Sequence, residues 1–261
     1  MKKEILAVGA AVVLSLATMS AAQAALVATY EFDNSFAANE AAAAAIVPLN
    51  GGNFVTDTVF GQSRTVYQRY SASNASSAQS ALRLDTASLG LASNNYAVEL
   101  VFSFTDNISL NGYRRLVNAF DPASLADPGF YVDYNSHLNI YQNGPHSGGA
   151  TLADGTYYDV VLSVSPGGEQ AYVNGELAVA HGGTPDAIQS HYLNFFLDEV
   201  YEYTNGRVAL LRIFDASLSG ADVTALHNAG NPFAAPVPVP AAVWLFGSAL
   251  GGLGALRRRY A

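Results

Sequence analysis

Three carboxylates within five residues form the most chemically distinctive segment of the chain. Asp198, Glu199 and Glu202 follow the apolar run 193–197 and lead into a Thr-Asn-Gly segment at 204–206. Calcium is a hard cation that takes several carboxylate and carbonyl oxygens, commonly from one loop. The segment therefore predicts a Ca²⁺ site formed by Asp198, Glu199 and Glu202. The alternative interpretation is a solvated acidic loop on an acidic protein.

A second group of residues has the composition of a sugar-binding surface. Between Gly129 and Gln142 the chain places tyrosines among short polar side chains. Aromatic faces provide apolar area with a polar edge, and amide or carboxylate oxygens accept hydrogen bonds from hydroxyl groups. The predicted glycan-binding residues are Tyr131, Asp133, Tyr134, Asn139 and Tyr141. The alternative is that these are ordinary strand tyrosines packed at sheet edges.

The sequence does not indicate catalysis. Glycosidases need two carboxylates that face each other across a cleft. On an extended strand Glu199 would face away from Asp198 and Glu202. No serine lies in a Gly-x-Ser-x-Gly elbow, and the five histidines lack metal-binding spacing such as i, i+4. We expect the protein not to be an enzyme.

The first 24 residues predict a secretory signal peptide. Lys2 and Lys3 precede the apolar stretch 5–17, and Ala22-Gln23-Ala24 is a small-x-small cleavage site. This order is typical of an exported protein, with cleavage after Ala24. Residues 1–24 are therefore excluded from the fold.

The last residues predict a membrane helix. Pro238 and Pro240 form a stiff extended element in the linker 232–240, and residues 241–256 carry no charge. A 16-residue helix is about 24 Å long, slightly less than the roughly 30 Å apolar layer of a bilayer. The basic residues that follow place the tail on the cytoplasmic side. They are Arg257, Arg258 and Arg259. The predicted membrane segment is thus 241–261.

The region between the two ends is acidic and free of cysteine. Of 12 basic residues, seven lie between the ends, all arginine, against 20 of the 21 acidic residues. Its formal charge of about −13 makes nucleic acid an unsuitable partner. Divalent cations and neutral glycans remain compatible partners. Without disulfides, the region must be stabilised by core burial or metal.

The pattern of residues 25–231 predicts one all-β domain. Short β-rich runs follow one another at about ten-residue spacing with Gly, Asn and Asp between them, as in a two-sheet antiparallel sandwich. Asn174-Gly175 is typical of a tight hairpin. Ser219, with Asp222 three residues later, predicts the start of one short helix that ends near Gly230. The runs are 26–32, 81–84, 96–104, 113–120, 130–134, 138–141, 157–164, 170–173, 177–179, 192–197 and 208–214.

Two family resemblances follow from these segments. Residues 30–33, 154–162 with 171–176, and 206–215 together resemble a LamG-like, concanavalin A-like jelly roll. Residues 237–261 resemble a PEP-CTERM sorting tail, although Val239 stands where that motif has Glu. The first resemblance implies a jelly-roll sandwich, and Phe195-Phe196-Leu197-Asp198-Glu199 is similar to the run that precedes a metal-binding loop in that family. Ala209 replaces an aspartate that often serves a second calcium there.

The sorting-tail resemblance implies where the protein is used. It implies a Gram-negative bacterium that makes extracellular polysaccharide, and an exosortase that recognises the tail. The first hypothesis is therefore a surface or matrix protein, at least transiently membrane-anchored, whose domain binds extracellular polysaccharide, with Ca²⁺ as a potential cofactor. The second is a structural surface protein without a specific ligand. The third is a polysaccharide hydrolase.

Overall fold

The computed structural model describes residues 24–70, 79–106, 112–119, 128–142, 144–197, 202, 204–229 and 232–233. These residues form strands and one helix. The strands are β1 (Leu26–Tyr30), β2 (Val47–Leu49), β3 (Asn53–Val59), β4 (Gln62–Arg69), β5 (Ala81–Asp85), β6 (Tyr96–Phe104), β7 (Arg114–Asn118), β8 (Gly129–Val132), β9 (Leu138–Tyr141), β10 (Pro145–Gly148), β11 (Tyr158–Ser165), β12 (Gly168–Val173), β13 (Glu176–Gly182), β14 (Tyr192–Phe195) and β15 (Gly206–Phe214). The helix is α1 (Gly220–Asn228).

The strands form two antiparallel sheets. Sheet A has the order β13-β12-β11-β6-β15-β4-β3, and β1 pairs with β15 beside β4. Sheet B has the order β10-β9-β8-β7-β14-β5-β2. Neighbours in space are often distant in sequence, as β6 and β15 are. The arrangement is a two-layer β-sandwich, which confirms the all-β prediction.

The core lies between the two sheets, and β6 shows why. Along β6 the alternate residues Val98, Leu100, Phe102 and Phe104 all belong to the main hydrophobic cluster. Successive side chains of a strand point to opposite faces, so this alternation assigns one face of β6 to the core. The predicted strand 96–104 matches β6 residue for residue.

The opposite face of sheet A is also covered. Helix α1 begins with a capping box, in which Ser219 accepts the backbone N–H of Asp222 while Asp222 accepts the backbone N–H of Ser219. Val223 of α1 and Leu218 pack with Tyr172 against this face in a second apolar cluster. The predicted cap is therefore confirmed, and the helix closes one outer face of the sandwich.

Local turn chemistry explains the β12–β13 hairpin. Asn174 has φ 49° and Gly175 has φ 83°, as in a type I′ turn, whose two left-handed residues match the twist of a two-residue hairpin. Asn and Gly are the residues that adopt this conformation at least cost. The hairpin predicted from Asn174-Gly175 is confirmed.

Four strands lie where the sequence pattern predicts none. These are β2, β3, β4 and β10. β2 is three residues long with a central proline, and β10 reads Pro-His-Ser-Gly. Both end a sheet, where long apolar runs are avoided, so neither has a recognisable apolar pattern.

The predicted ends of the chain lie outside the described residues. This holds for residues 1–23, which include Ala22, and for the linker and tail with Pro238, Pro240, Arg257, Arg258 and Arg259. Within the described ranges no helix has the length and apolar character needed to cross a bilayer. The signal peptide, the sorting motif and the membrane helix stay predictions.

Candidate functional site

The outer face of sheet B brings three of the predicted glycan-binding residues together. Phe130, Leu138 and Ile140 point into the core from β8 and β9. The alternate residues of the same strands therefore point away from the core. Tyr131 lies directly opposite Asn139 in the β8–β9 register, and Tyr141 is two residues further along β9.

Four tyrosine rings form a continuous row on this face, which we call the tyrosine row. Ring centroids are 5.8 Å apart for Tyr134 and Tyr113, 6.2 Å for Tyr113 and Tyr131, and 6.2 Å for Tyr131 and Tyr141. These separations are typical of packed aromatic pairs. Tyr113 was not among the predicted site residues, because it lies before β7 and only sheet pairing brings it to β8.

The four tyrosines of the row differ in solvent exposure. Tyr134 is 62% exposed, whereas Tyr131 is 1% exposed. Tyr113 and Tyr141 are half-buried. A ligand on this face would therefore meet Tyr134, Tyr113 and Tyr141 first, while Tyr131 supports them from below.

A line of polar side chains crosses the outer face of sheet B and includes Tyr131 of the tyrosine row. Arg115, Tyr131, Asn139 and Ser147 occupy facing positions on β7, β8, β9 and β10. The Arg115 guanidinium lies 4.4 Å from the centre of the Tyr131 ring. Asn139 Nδ2 donates to Ser147 Oγ at 2.7 Å. The hydrogen bond to Ser147 orients the Asn139 amide.

The Asn139 carbonyl oxygen has no hydrogen-bond partner within the described part of the chain. Oδ1 is buried and unpaired there, as is Nδ2 of Asn194 on β14 of the same sheet. An unpaired buried polar group costs about 1–3 kcal/mol. A folded protein seldom leaves such groups without a partner, and an ordered water, an ion or a ligand can supply one.

Asp133 has a defined role within the β8–β9 turn. Its Oδ1 accepts the backbone N–H groups of Asn135 and His137, both at 2.9 Å. Its own N–H donates to the His137 carbonyl at 2.8 Å. The side chain is almost fully buried. Asp133 therefore shapes the turn that carries Tyr134, and its Oδ1 is already engaged.

The predicted calcium residues are only partly described. Asp198 and Glu199 lie outside the described residues, whereas Glu202 lies beside the tyrosine row, where its carbonyl accepts the Arg115 N–H at 3.4 Å. Burial and then the charges of Asp133, Tyr134, Glu202 and Tyr141 raise the pKa of Tyr113. Glu202, the one described residue of the predicted calcium site, therefore lies near the predicted glycan site. Among the described residues, no group of three acidic or histidine side chains could hold a metal ion.

A strained aromatic residue leads into the acidic segment. Phe196 has φ +61° and is buried, a conformation that is uncommon for a bulky residue and costs about 1–3 kcal/mol. The buried Arg69 guanidinium stacks 3.8 Å from its ring centre, and burial lowers the pKa of Arg69 to about 9. Phe102 and Phe104 contact the ring edge-on. These contacts surround the Phe196 ring and support its strained conformation.

The residue after the predicted cleavage site is held in the fold. Ala24 packs against the apolar cluster under helix α1. The backbone nitrogen of Ala25 donates to Asp215 Oδ1 at 2.7 Å, and the Ala25 carbonyl accepts the Asp215 N–H at 3.0 Å.

Ala209, the residue that stands where the LamG-like pattern often has an aspartate, lies in a buried apolar environment with Val59, Val66 and Val101.

Comparisons with known proteins establish the fold alone. No protein-family model matches the chain, and no curated protein matches it, so the LamG-like and PEP-CTERM resemblances stay predictions. Domain 4 of the extracellular arabinanase AbnA from Geobacillus stearothermophilus, solved with arabinotriose, superposes with a TM-score of 0.60 at 19% identity, covering 78% of this chain and 99% of that domain.

Botulinum neurotoxin binding domains are also similar in structure. The serotype D binding domain superposes with a TM-score of 0.55 at 13% identity, and a type C structure described with two ganglioside molecules superposes at 0.56 and 12%. Each comparison covers 78% of this chain, which spans about half the length of those domains. The chain therefore shares a two-sheet β-sandwich fold with these domains.

Proposed function

We propose that the domain is a carbohydrate-binding module that contacts extracellular polysaccharide through the outer face of sheet B. The observation that carries the proposal is the tyrosine row beside the unpaired Asn139 oxygen. Aromatic rings with a few oriented polar groups are the usual lining of sites for organic ligands. Tyrosine faces would contact the C–H groups of a sugar ring, and Asn139 Oδ1 would accept a hydroxyl.

The charge of the site favours a neutral polysaccharide. The domain is strongly acidic, and the carboxylate of Asp133 and the acidic residue Glu202 act electrostatically on Tyr113 within the row. Arg115, the cation beneath the row, is buried against Tyr131. A uronic-acid chain would be repelled by this field. The structural neighbours solved with arabinotriose or described with gangliosides support a sugar ligand.

The proposal is tested by binding of the purified mature protein to neutral and uronic-acid polysaccharides. The double variant Tyr134→Ala, Tyr141→Ala should lower affinity for a neutral polysaccharide at least tenfold, which corresponds to about 1.4 kcal/mol. Tyr70→Ala is the matched control, because Tyr70 is 48% exposed and follows β4 of sheet A. Equal affinity of all three proteins would contradict the assigned face.

Calcium binding through Asp198, Glu199 and Glu202 belongs to the same proposal. Their segment adjoins the tyrosine row at Glu202, so a bound Ca²⁺ would neutralise the acidic edge of the sugar site. Titration with Ca²⁺ should show saturable binding that the Glu199→Gln, Glu202→Gln variant loses. Unchanged heat of binding in that variant would assign the ion elsewhere.

Export and sorting complete the proposed function. Cleavage after Ala24 would convert the Ala25 nitrogen into an ammonium group 2.7 Å from Asp215 Oδ1, an arrangement that supports cleavage at this position. We expect an exosortase to process the tail of a cell-surface or matrix protein. The intact mass of the mature protein from its host would test cleavage after Ala24 and processing near Pro238 or Pro240.

A structural surface protein without a ligand is the second candidate. The burial of Tyr131 and Asn139, and the use of Asp133 in its own turn, favour it. Absence of binding to any polysaccharide, with and without Ca²⁺, would select this function. We propose no catalytic role in either case, and release of reducing ends from a bound polysaccharide would contradict that.

A further inference from the structure

The free edges of the two sheets meet at one side of the sandwich. Edge strand β10 of sheet B packs directly on edge strand β13 of sheet A. The approach is so close that a side-chain Cβ at Gly148 or Gly149 would collide with Ala178. No backbone ladder joins these two strands, so side chains must hold the edges together.

Five side chains occupy this junction, and we call them the edge cluster: Gln142, His146, Glu169, His181 and Asp186. The imidazole rings of His146 and His181 stack with centroids 4.1 Å apart across the two strands. His146 Nε2 lies 3.2 Å from the Gln142 carbonyl oxygen. The Gln142 amide donates to Asp186 Oδ1. A continuous set of contacts therefore runs from β13 through β10 to the loop after β13.

Two buried carboxyl groups lie at the end of these contacts. The Asp186 N–H donates to Glu169 Oε1 at 2.9 Å, and Glu169 Oε2 is buried without a hydrogen-bond partner within the described ranges. Glu169 also faces His181 in the β12–β13 register. Both carboxyl groups are 5% exposed or less, so water cannot screen their repulsion when both ionise.

Residues on the neighbouring elements do not balance the two negative charges that Glu169 and Asp186 would carry when both are ionised. Tyr96 of β6 donates its hydroxyl to the Asp186 carbonyl at 3.2 Å. Arg115 of β7 favours the charged form of Asp186, but its effect is smaller than burial and the charge of Glu169. Burial raises the pKa of Glu169 to about 7, and burial with the Glu169 charge raises the pKa of Asp186 to about 8. The pair therefore keeps protons that it would lose in water.

We propose that the edge cluster is a proton-dependent latch, which joins β9–β10 to β12–β13 while its carboxyl pair is protonated and opens when both carboxyl groups ionise. Strand β9 carries Asn139 and Tyr141, and β10 carries Ser147. Opening of the latch would displace one end of the tyrosine row. The latch itself does not depend on the proposed function, whereas its effect on sugar affinity rests on it.

The sign of the pH dependence follows from the raised pKa values. Carboxyl groups in an unfolded chain titrate near pH 4. Between about pH 4 and pH 8 the folded protein therefore binds more protons at Glu169 and Asp186 than the unfolded chain does. Stability of the junction therefore falls as the pH rises through this range. Burial and His146 lower the pKa of His181, so His181 acts in the opposite direction below about pH 6.5.

Hydrogen exchange of the mature protein between pH 6 and pH 9 tests the latch. After correction for intrinsic exchange rates, the protection factor of the Asp186 amide should fall at least tenfold over this range. Glu169→Gln and Asp186→Asn each replace one ionising group with a neutral amide of the same shape. Both variants should keep that protection factor constant within about twofold. The same tenfold fall in both would overturn the proposal, and if one variant does not fold the other decides.

Glu99→Gln is the matched control, because Glu99 is another buried carboxyl whose pKa is raised to about 8. It lies on β6 outside the junction, so the exchange of Asp186 should keep its wild-type pH dependence. A flat profile in this control would assign the effect to global stability and overturn the latch. Polysaccharide affinity at pH 6 and pH 8.5 measures how far opening of the latch weakens sugar binding. If the latch opens with rising pH but the protein binds no polysaccharide, the proposed function is contradicted and the latch is not.

Discussion

The two outer faces of the sandwich are built in opposite ways. On sheet A, helix α1 and two apolar clusters cover the strands, and the charged groups between them are paired. Arg212 lies 3.1 Å from Glu99, and His227 lies 3.2 Å from Asp159. On sheet B, tyrosine rings and amides cover the strands, and Asn139 and Asn194 keep unpaired buried atoms.

This difference distinguishes the outer face of sheet A from the face proposed to bind sugar. Burial, with the neighbouring Asp159, raises the pKa of Glu99 to about 8, and burial also raises the pKa of Asp159. Arg212 lies against Glu99 and His227 lies against Asp159. The polar groups on the outer face of sheet A thus lie mostly in charged pairs, with Asp159 Oδ1 left without a hydrogen-bond partner in the described part of the chain. The unpaired atoms on sheet B belong to the amides of Asn139 and Asn194.

The largest expected effect is on sheet A. Arg212→Leu should lower the free energy of unfolding by about 3–5 kcal/mol, because it leaves buried carboxyl groups without their cation. Denaturant unfolding measures the loss. The double variant Glu99→Leu, Arg212→Leu should recover most of it, and its polysaccharide affinity should equal that of the wild type. A double variant no more stable than Arg212→Leu would contradict this account.

The next largest effect is expected on sheet B, at Tyr113, which the sequence analysis did not predict as a site residue. Tyr113→Ala should weaken polysaccharide binding about tenfold, or about 1.4 kcal/mol, since it interrupts the tyrosine row between Tyr134 and Tyr131. Tyr113→Phe keeps the ring and should bind within about threefold of wild type. Titration calorimetry compares the three proteins, and equal affinities would remove Tyr113 from the site.

A smaller effect is expected at the helix that covers sheet A. Ser219→Ala removes the cap of α1 and should cost about 1 kcal/mol of stability. Thermal unfolding measures the change. Sugar affinity should not move, because α1 lies on the face opposite the tyrosine row. A parallel loss of affinity would show that the two faces are coupled.

The smallest stability effect is expected at Asn139. Asn139→Leu removes one hydrogen bond to Ser147 and one unpaired buried oxygen, two contributions of opposite sign and about 1 kcal/mol each. Stability should therefore change by less than about 1 kcal/mol, while affinity falls severalfold. A loss of stability above that value, with affinity unchanged, would make Asn139 a structural residue.

Local patterns were sufficient for much of the fold. The alternation in β6, the Asn174-Gly175 turn and the Ser219–Asp222 cap each depend on neighbouring residues, and each is confirmed. The edge strands β2 and β10 were not predicted, because segments of three and four residues carry too little pattern of their own and acquire strand structure only by pairing with β5 and β9. Residue types alone indicated a tyrosine-rich surface, but could not distinguish Asp133 in its turn from a ligand contact.

By itself, the sequence determined an all-β domain, a hairpin, a capped helix and the acidic balance, since these follow from local periodicity, turn chemistry and composition. Only the tertiary structure placed Tyr113 beside Tyr131, and Glu202 near Tyr113. It also brought His146 to His181 and Glu169 to Asp186, which lie 35 and 17 residues apart. The physical reason is that sheet register and the packing of two sheet edges decide these contacts, and neither is recorded in the spacing of residues along the chain.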